Sequence, residues 1–214
     1  MRASPNPPPS SAATSARRRG GTQPDPLSVD DIMQAALTLT ERRGLEALTI
    51  KSVAEELGIT SPGVYHYVGG KQELIDRLCE RVTRTIDVST DADERWQDRI
   101  VTIMLRMDDA FARYPGVAAR ALSFTGPAPG ALRITRSILE VLETDDAGFS
   151  RADALDVVAG LHFLFSGWLL RRGPIVDSRG IDGKPLTAAT LERTTRRLLA
   201  GAAAELQQRA SKPR

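Results

Sequence analysis

From Leu27 nearly to the C-terminus, apolar residues recur at three- and four-residue intervals, and no stretch alternates apolar with polar over a strand's length. Spacing of that kind predicts an all-α fold, because a sheet needs a period of two to bury one of its faces. Glycines and prolines cut the pattern into segments. Ser28, with Asp31 three residues on, makes a capping-box-like start to a first helix whose inner stripe is Ile32, Ala35, Ala36 and Leu39, and Gly44 is a suitable terminator. A second helix follows Thr49, turns Val53, Ala54 and Leu57 inward and stops at Gly58. Only Gly58-Ile59-Thr60 separates it from a third segment, predicted as a helix from Ser61 to about Val68, with Pro62 in its first turn, where a missing N–H leaves no bond unmade. A fourth helix follows Gly70 and carries Leu74, Leu78 and Val82.

Two short helices joined by a Gly-bearing turn and braced by longer helices have the pattern of a helix-turn-helix. In that arrangement the first helix and the turn hold the second, so that its N-terminal residues meet base edges in the major groove. The spacing alone also suits a plain helical bundle. Charge does not decide between them. The chain carries a net charge of +2; residues 1–26 hold four Arg against one Asp, and residues 27–85 hold seven basic against nine acidic side chains. Any electrostatic footprint on DNA must come from a few placed cations and from the N-terminal arm.

That arm, residues 1–26, is rich in Pro, Ser and Ala and is expected to be disordered, with Arg17-Arg18-Arg19 as its basic cluster. It lacks an apolar core of the secretory kind. Residues 27–85 are expected to form the DNA-binding domain and 86–214 an effector-binding and dimerisation domain, a division compatible with roughly 100–200 residues per domain. In the second part a long helix carries Trp96, Ile100, Ile103, Met107, Phe111 and Tyr114 and ends before Pro115. A short helix is predicted over Ala118 to Phe124, a loop over Gly126 to Gly130 and a helix over Ala131 to Glu143. Ser150 and Asp153 then start an apolar helix ending near Arg172, and Leu191, Thr195, Leu198, Ala202 and Leu206 mark the last one. The most apolar stretch, Val157 to Leu170, is shorter than the roughly 18 residues a membrane span requires, so a buried helix is expected and no membrane partner.

Across residues 28 to about 82, the combination Gly44-Leu45, Leu48-Thr49, Val53-Ala54, Leu57-Gly58-Ile59-Thr60, Ser61-Pro62-Gly63-Val64-Tyr65-His66-Tyr67-Val68 and Lys71-Gln72-Glu73-Leu74 closely resembles the DNA-binding region of the TetR family of one-component regulators. Tyr114-Pro115-Gly116 and Gly148-Phe149-Ser150 look like the same family's regulatory domain. The resemblance implies an all-α dimer, with a three-helix helix-turn-helix domain and a larger helical domain that binds a small effector. Carried over position by position, it places Ser61, Pro62 and Gly63 against bases, and Tyr65 and His66 against bases or the adjoining backbone. Tyr67 and Lys71 fall at phosphate-contact positions, and Lys51 also faces DNA. Positions 67 and 68, often His and Phe in the family, are Tyr and Val here, which predicts looser packing under the recognition helix. Gly63 offers no side chain to a base, so readout falls to its neighbours or to DNA shape.

Large apolar side chains concentrate in the second part, and Met104, Met107, Phe111, Phe124, His162, Phe165 and Leu169 are the expected effector-pocket residues. His162 is the polar residue most enclosed by apolar neighbours in sequence. Gly160, Phe163, Leu164 and Gly167 on the opposite helical face, with Leu198 and Ala202, are the expected dimer interface. A single cysteine, Cys79, and two histidines, His66 and His162, support no metal site, and no cofactor is expected. An enzyme would need a nucleophile, a base and an orienting group; the nearest trio, Ser166, His162 and Asp156, lies in an apolar run without a Gly-rich oxyanion turn, so no catalysis is expected. The expected function is a cytoplasmic, nucleoid-associated repressor released from a palindromic double-stranded operator by a small apolar effector. The alternative is an architectural DNA-binding protein of the same fold that ignores small molecules.

Overall fold

The computed structural model describes residues 27–122, 129–172, 180 and 183–211. Among them are nine α-helices and no strand: α1 Val29–Arg43, α2 Ile50–Leu57, α3 Ser61–Tyr65, α4 Lys71–Thr85, α5 Trp96–Arg113, α6 Val117–Leu122, α7 Pro129–Leu142, α8 Arg151–Arg172 and α9 Ala188–Ala210, with a short 3-10 turn at Leu45–Ala47.

The N-terminal helices are set by their caps. Asp31 N–H donates to Ser28 Oγ and Ser28 N–H to Asp31 Oδ2, which satisfies two backbone donors at the start of α1. Helix α2 repeats the device in a form without a long acid: Ser52 N–H donates to Thr49 Oγ1 and Thr49 N–H to Ser52 Oγ, both at 2.9 Å. Gly58 then turns left-handed, at φ 66°, and returns its N–H to the end of α2, a conformation a Cβ would penalise. Helix α3 ends at Tyr65, three residues before the predicted end at Val68, because the N–H groups of Tyr67 and Val68 both turn back to Val64 O and close the last turn. Ile32, Leu48, Val53, Val64, Leu74, Leu78 and Val82 are fully buried; α1 packs on both α2 and α4, and α2 packs on α3.

Helix α7 begins at Pro129, two residues ahead of the predicted start, with Pro129 and Gly130 inside the helix and not in the loop. Gly130 N–H donates to Glu80 Oε2 of α4 at 3.0 Å, which satisfies a buried first-turn donor that has no partner within the helix. Helix α8 is apolar on all sides. Ala154, Val157, Leu161, Phe165, Trp168 and Leu169 are buried, whereas Leu155, Phe163 and Leu170 are exposed. Arg151–Arg171 is long and apolar enough to cross a membrane by length and composition, a longer apolar stretch than Val157 to Leu170, but the core helix of a soluble protein meets the same measure. Only 33% of its apolar window is buried in this chain, although α6, α7 and α9 pack against it. Inside the body, buried Asp108 accepts the indole N–H of Trp168 at 2.7 Å and ties α5 to α8.

Several contacts join the N-terminal helices to the rest. Leu45 N–H donates to Pro115 O, Arg113 pairs with Glu41, and Arg120 of α6 pairs with Asp76 of α4. Arg133 of α7 donates to the carbonyls of Thr83 and Ile86, at 3.1 and 2.7 Å. It thereby caps the C-terminal end of α4, where backbone acceptors lack helical partners and a cation is favoured.

Candidate nucleic-acid interface and effector cavity

Helix α3 presents a short, outward-facing surface. Tyr65 is 55% exposed, Pro62 and His66 are exposed, and Ser61 and Gly63 are half-buried. His66 and Tyr67 lie beyond the last helical residue and not within the helix, so their side chains leave from the turn between α3 and α4. The looser packing expected at positions 67 and 68 is not found: Val68 is 2% exposed and Tyr67 packs against the core. Lys71 is the first residue of α4 and is exposed. Lys51, exposed on the first turn of α2, has Glu55 at 3.7 Å.

Charge on this unit is largely committed. Arg42, Lys51, Arg77, Arg81 and Arg84 pair with Glu56, Glu55, Glu73, Asp30 and Glu80 respectively. Among the described residues 27–85, Lys71 and Arg43 are the cations without such a partner. The carboxyl of Glu73 accepts Gly69 N–H at 2.6 Å, which holds it below the usual carboxylate range, with Arg77 adding to the effect. This contact fixes the Gly69-Gly70 turn that carries Lys71. The arm with Arg17, Arg18 and Arg19 lies outside the described residues.

A cavity of about 380 Å³ opens among α4, α5, α6, α7 and α8. Met104, Met107, Phe111, His162, Phe165 and Leu169 all line it, while Phe124 lies outside the described residues. Sequence reasoning missed Thr83 at the end of α4, Ile134, Thr135 and Ile138 of α7, and Leu155 and Ser166 of α8. The α7 residues were visible as an apolar helix, but periodicity does not say which neighbouring helix a face meets. His162 is exposed in the single chain and not enclosed, with its ring edge-on to Phe163 at 6.3 Å, because α8 turns this side away from the buried face.

The expected dimer residues divide. Phe163 is 74% exposed and also lines the cavity. Gly160 meets Leu198 of its own chain: a Cβ there would sit 3.4 Å from Leu198 Cδ1, so its small size serves the α8–α9 crossing. Gly167 faces open space, and Leu164, Leu198 and Ala202 are half-buried. Ser166 and His162 share the cavity, whereas Asp156 lines a separate small cleft with Arg209 and Glu205, so the trio is not assembled.

A helix-turn-helix with an exposed recognition surface, joined to a helical body around an apolar cavity, defines the class of helix-turn-helix transcription regulators. Residues 32–78 match the family model described as bacterial regulatory proteins, tetR family. The chain is 31% identical to the class E tetracycline repressor protein of Escherichia coli, over 74% of this chain and 76% of that protein. Its fold matches Streptomyces coelicolor ActR in complex with actinorhodin, with a TM-score of 0.69 at 20% identity, covering 85% and 97% of the two chains. BioQ with its double-stranded DNA operator matches with a TM-score of 0.65 at 23% identity, covering 84% and 99%. The chain belongs to the TetR family of transcription regulators.

Proposed function

We propose that this protein is a cytoplasmic, dimeric repressor that binds a palindromic operator through α3 and is released from it by a small molecule held in the cavity. One observation carries the reading: Thr83, in the last turn of α4, lines the cavity, and α4 is the helix whose first residue, Lys71, stands at the recognition surface. A ligand in the cavity therefore touches the far end of the rod that carries the DNA-facing elements. The names of a tetracycline repressor, of ActR with actinorhodin and of BioQ with operator DNA support the same reading.

In this reading Ser61, Pro62, Gly63, Tyr65 and His66 meet base edges or the adjoining backbone, and Lys51, Tyr67 and Lys71 meet phosphates. The uncovered apolar side of α8, with Leu170, Leu164 and Gly167, together with Leu198 and Ala202 of α9, packs against a second copy. Two-fold symmetry then sets the recognition helices about 34–36 Å apart, one turn of DNA, and makes the operator a palindrome. Release requires that the ligand prefer the state with the wrong spacing. A coupling of about 1–3 kcal/mol weakens operator binding by roughly 5- to 150-fold, and operator must weaken ligand binding by the same factor. The test is to select operator DNA with the purified protein and titrate a ligand with and without it. Equal affinities across a broad library would remove the ligand-responsive reading and leave the architectural one.

A further inference from the structure

Resting on the reading of this cavity as the effector site, we propose that it takes an uncharged, largely apolar molecule bearing a hydroxyl or carbonyl group, and that it takes it without a metal ion. The first observation is charge. No Asp, Glu, Lys or Arg is among the described residues that line the cavity; its walls are aliphatic, methionine and aromatic side chains such as Met104, Phe111 and Phe165. A carboxylate or ammonium entering it would lose its hydration and find no counter-charge.

The second observation is the state of its polar groups. Thr83 already donates its hydroxyl to carbonyls within α4. Thr135, His162 and Ser166 make no hydrogen bond among the described residues, and all three face the cavity. A hydroxyl both donates and accepts, and so does a neutral imidazole. These three side chains can therefore serve a ligand hydroxyl or carbonyl, and His162 and Ser166, four residues apart on α8, lie on one face of the helix. A chelated metal is a poor match for them. Among the described lining residues His162 is the one nitrogen donor and no carboxylate is present, whereas a hard cation such as Mg²⁺ is usually held through one or two carboxylates.

A matched series tests this directly: naphthalene, 2-naphthylmethanol, 2-naphthoate and 2-naphthylmethylamine, titrated calorimetrically into the full chain at neutral pH with either Mg²⁺ or a chelator present. The alcohol should bind tightest, the anion and the cation about tenfold or more weaker, and Mg²⁺ should change nothing. In His162→Leu, at an exposed position of α8, and Ser166→Ala, at a half-buried one, the alcohol should lose its advantage over naphthalene while naphthalene binding persists. Equal or tighter binding of either charged analogue, a requirement for Mg²⁺, an advantage of the alcohol that survives both substitutions, or no binding by any of the four would overturn the assignment. Operator affinity, measured in parallel, separates the two readings: an alcohol that binds as expected but leaves operator affinity unchanged upholds the assigned ligand chemistry and counts against ligand-induced release.

Discussion

Lys71 occupies the first position of α4, where a positive charge opposes the helix dipole at a cost of a few tenths of a kcal/mol. It is also one of the few cations of the N-terminal helices without an acidic partner among the described residues. A cation kept free in an unfavourable place is accounted for by a phosphate nearby. Lys71→Ala should weaken binding to all DNA sequences alike and lower the salt slope by roughly one unit, as loss of one phosphate contact does. Tyr65→Ala should instead weaken the selected operator more than random DNA, because its ring is on the outward face of α3. Fluorescence anisotropy over a salt series checks both, and unchanged binding by both variants removes α3 as the recognition element. Cys79 has no part in this. Burial pushes its thiol up to about 11, so it stays protonated and unreactive at neutral pH. The sign is that of a raised acid: its contribution to stability is present below the ordinary value of 9.0 and is lost as pH rises through about 11.

At the scale of elements, the joint between α4 and α7 matters most for coupling. Gly130 lies so close to α4 that a Cβ would fall 2.2 Å from Thr83 Oγ1 and 2.8 Å from Thr83 Cβ. Thr83 is itself in the cavity wall, and Arg133 one turn along α7 holds the carbonyls at the end of α4. Gly130→Ala must therefore push α7 from α4, and overpacking of this kind costs about 1–3 kcal/mol. The expected outcome is a lower Tm with a folded dimer, and operator affinity that responds less to ligand than in the parent. Thermal unfolding monitored by circular dichroism, with operator binding measured in parallel, checks it. A variant with parental Tm and parental response would show that this close approach carries neither stability nor coupling.

For the whole molecule, the relevant asymmetry is that α8 is apolar all round and buried on one side only. Gly160 and Gly167 looked equivalent in sequence but are not. A bulky residue at position 160 would strike Leu198 within its own chain, whereas nothing lies within 4 Å of a Cβ at position 167. Gly167→Trp should thus be tolerated by the isolated chain and clash with a partner packed on this side of α8. Light scattering should show it monomeric with unchanged helical content, and binding to a palindromic operator should fall with the loss of the second half-site. A Gly167→Trp protein that remains dimeric would place the two-fold interface elsewhere.

The sequence alone determined the helices, their caps and the turn at Gly58, because these depend on period, on side-chain oxygens three residues from a backbone donor and on residues that tolerate positive φ. Its spacing suits a helix-turn-helix and a plain bundle alike, and it was the resemblance to the TetR family that marked which residues stand at the helix-turn-helix. The end of α3 at Tyr65 and the start of α7 at Pro129 were misjudged, since hydrogen bonds to Val64 O and Glu80 Oε2 set those boundaries and propensity does not see them. Only the tertiary structure decided that α7 and Thr83 join the cavity, that His162 is exposed, that Phe163 belongs to the cavity wall and that Gly160 packs within its own chain. Each of these depends on which helix lies opposite a given face, and apolar periodicity records that a face is buried without recording against what.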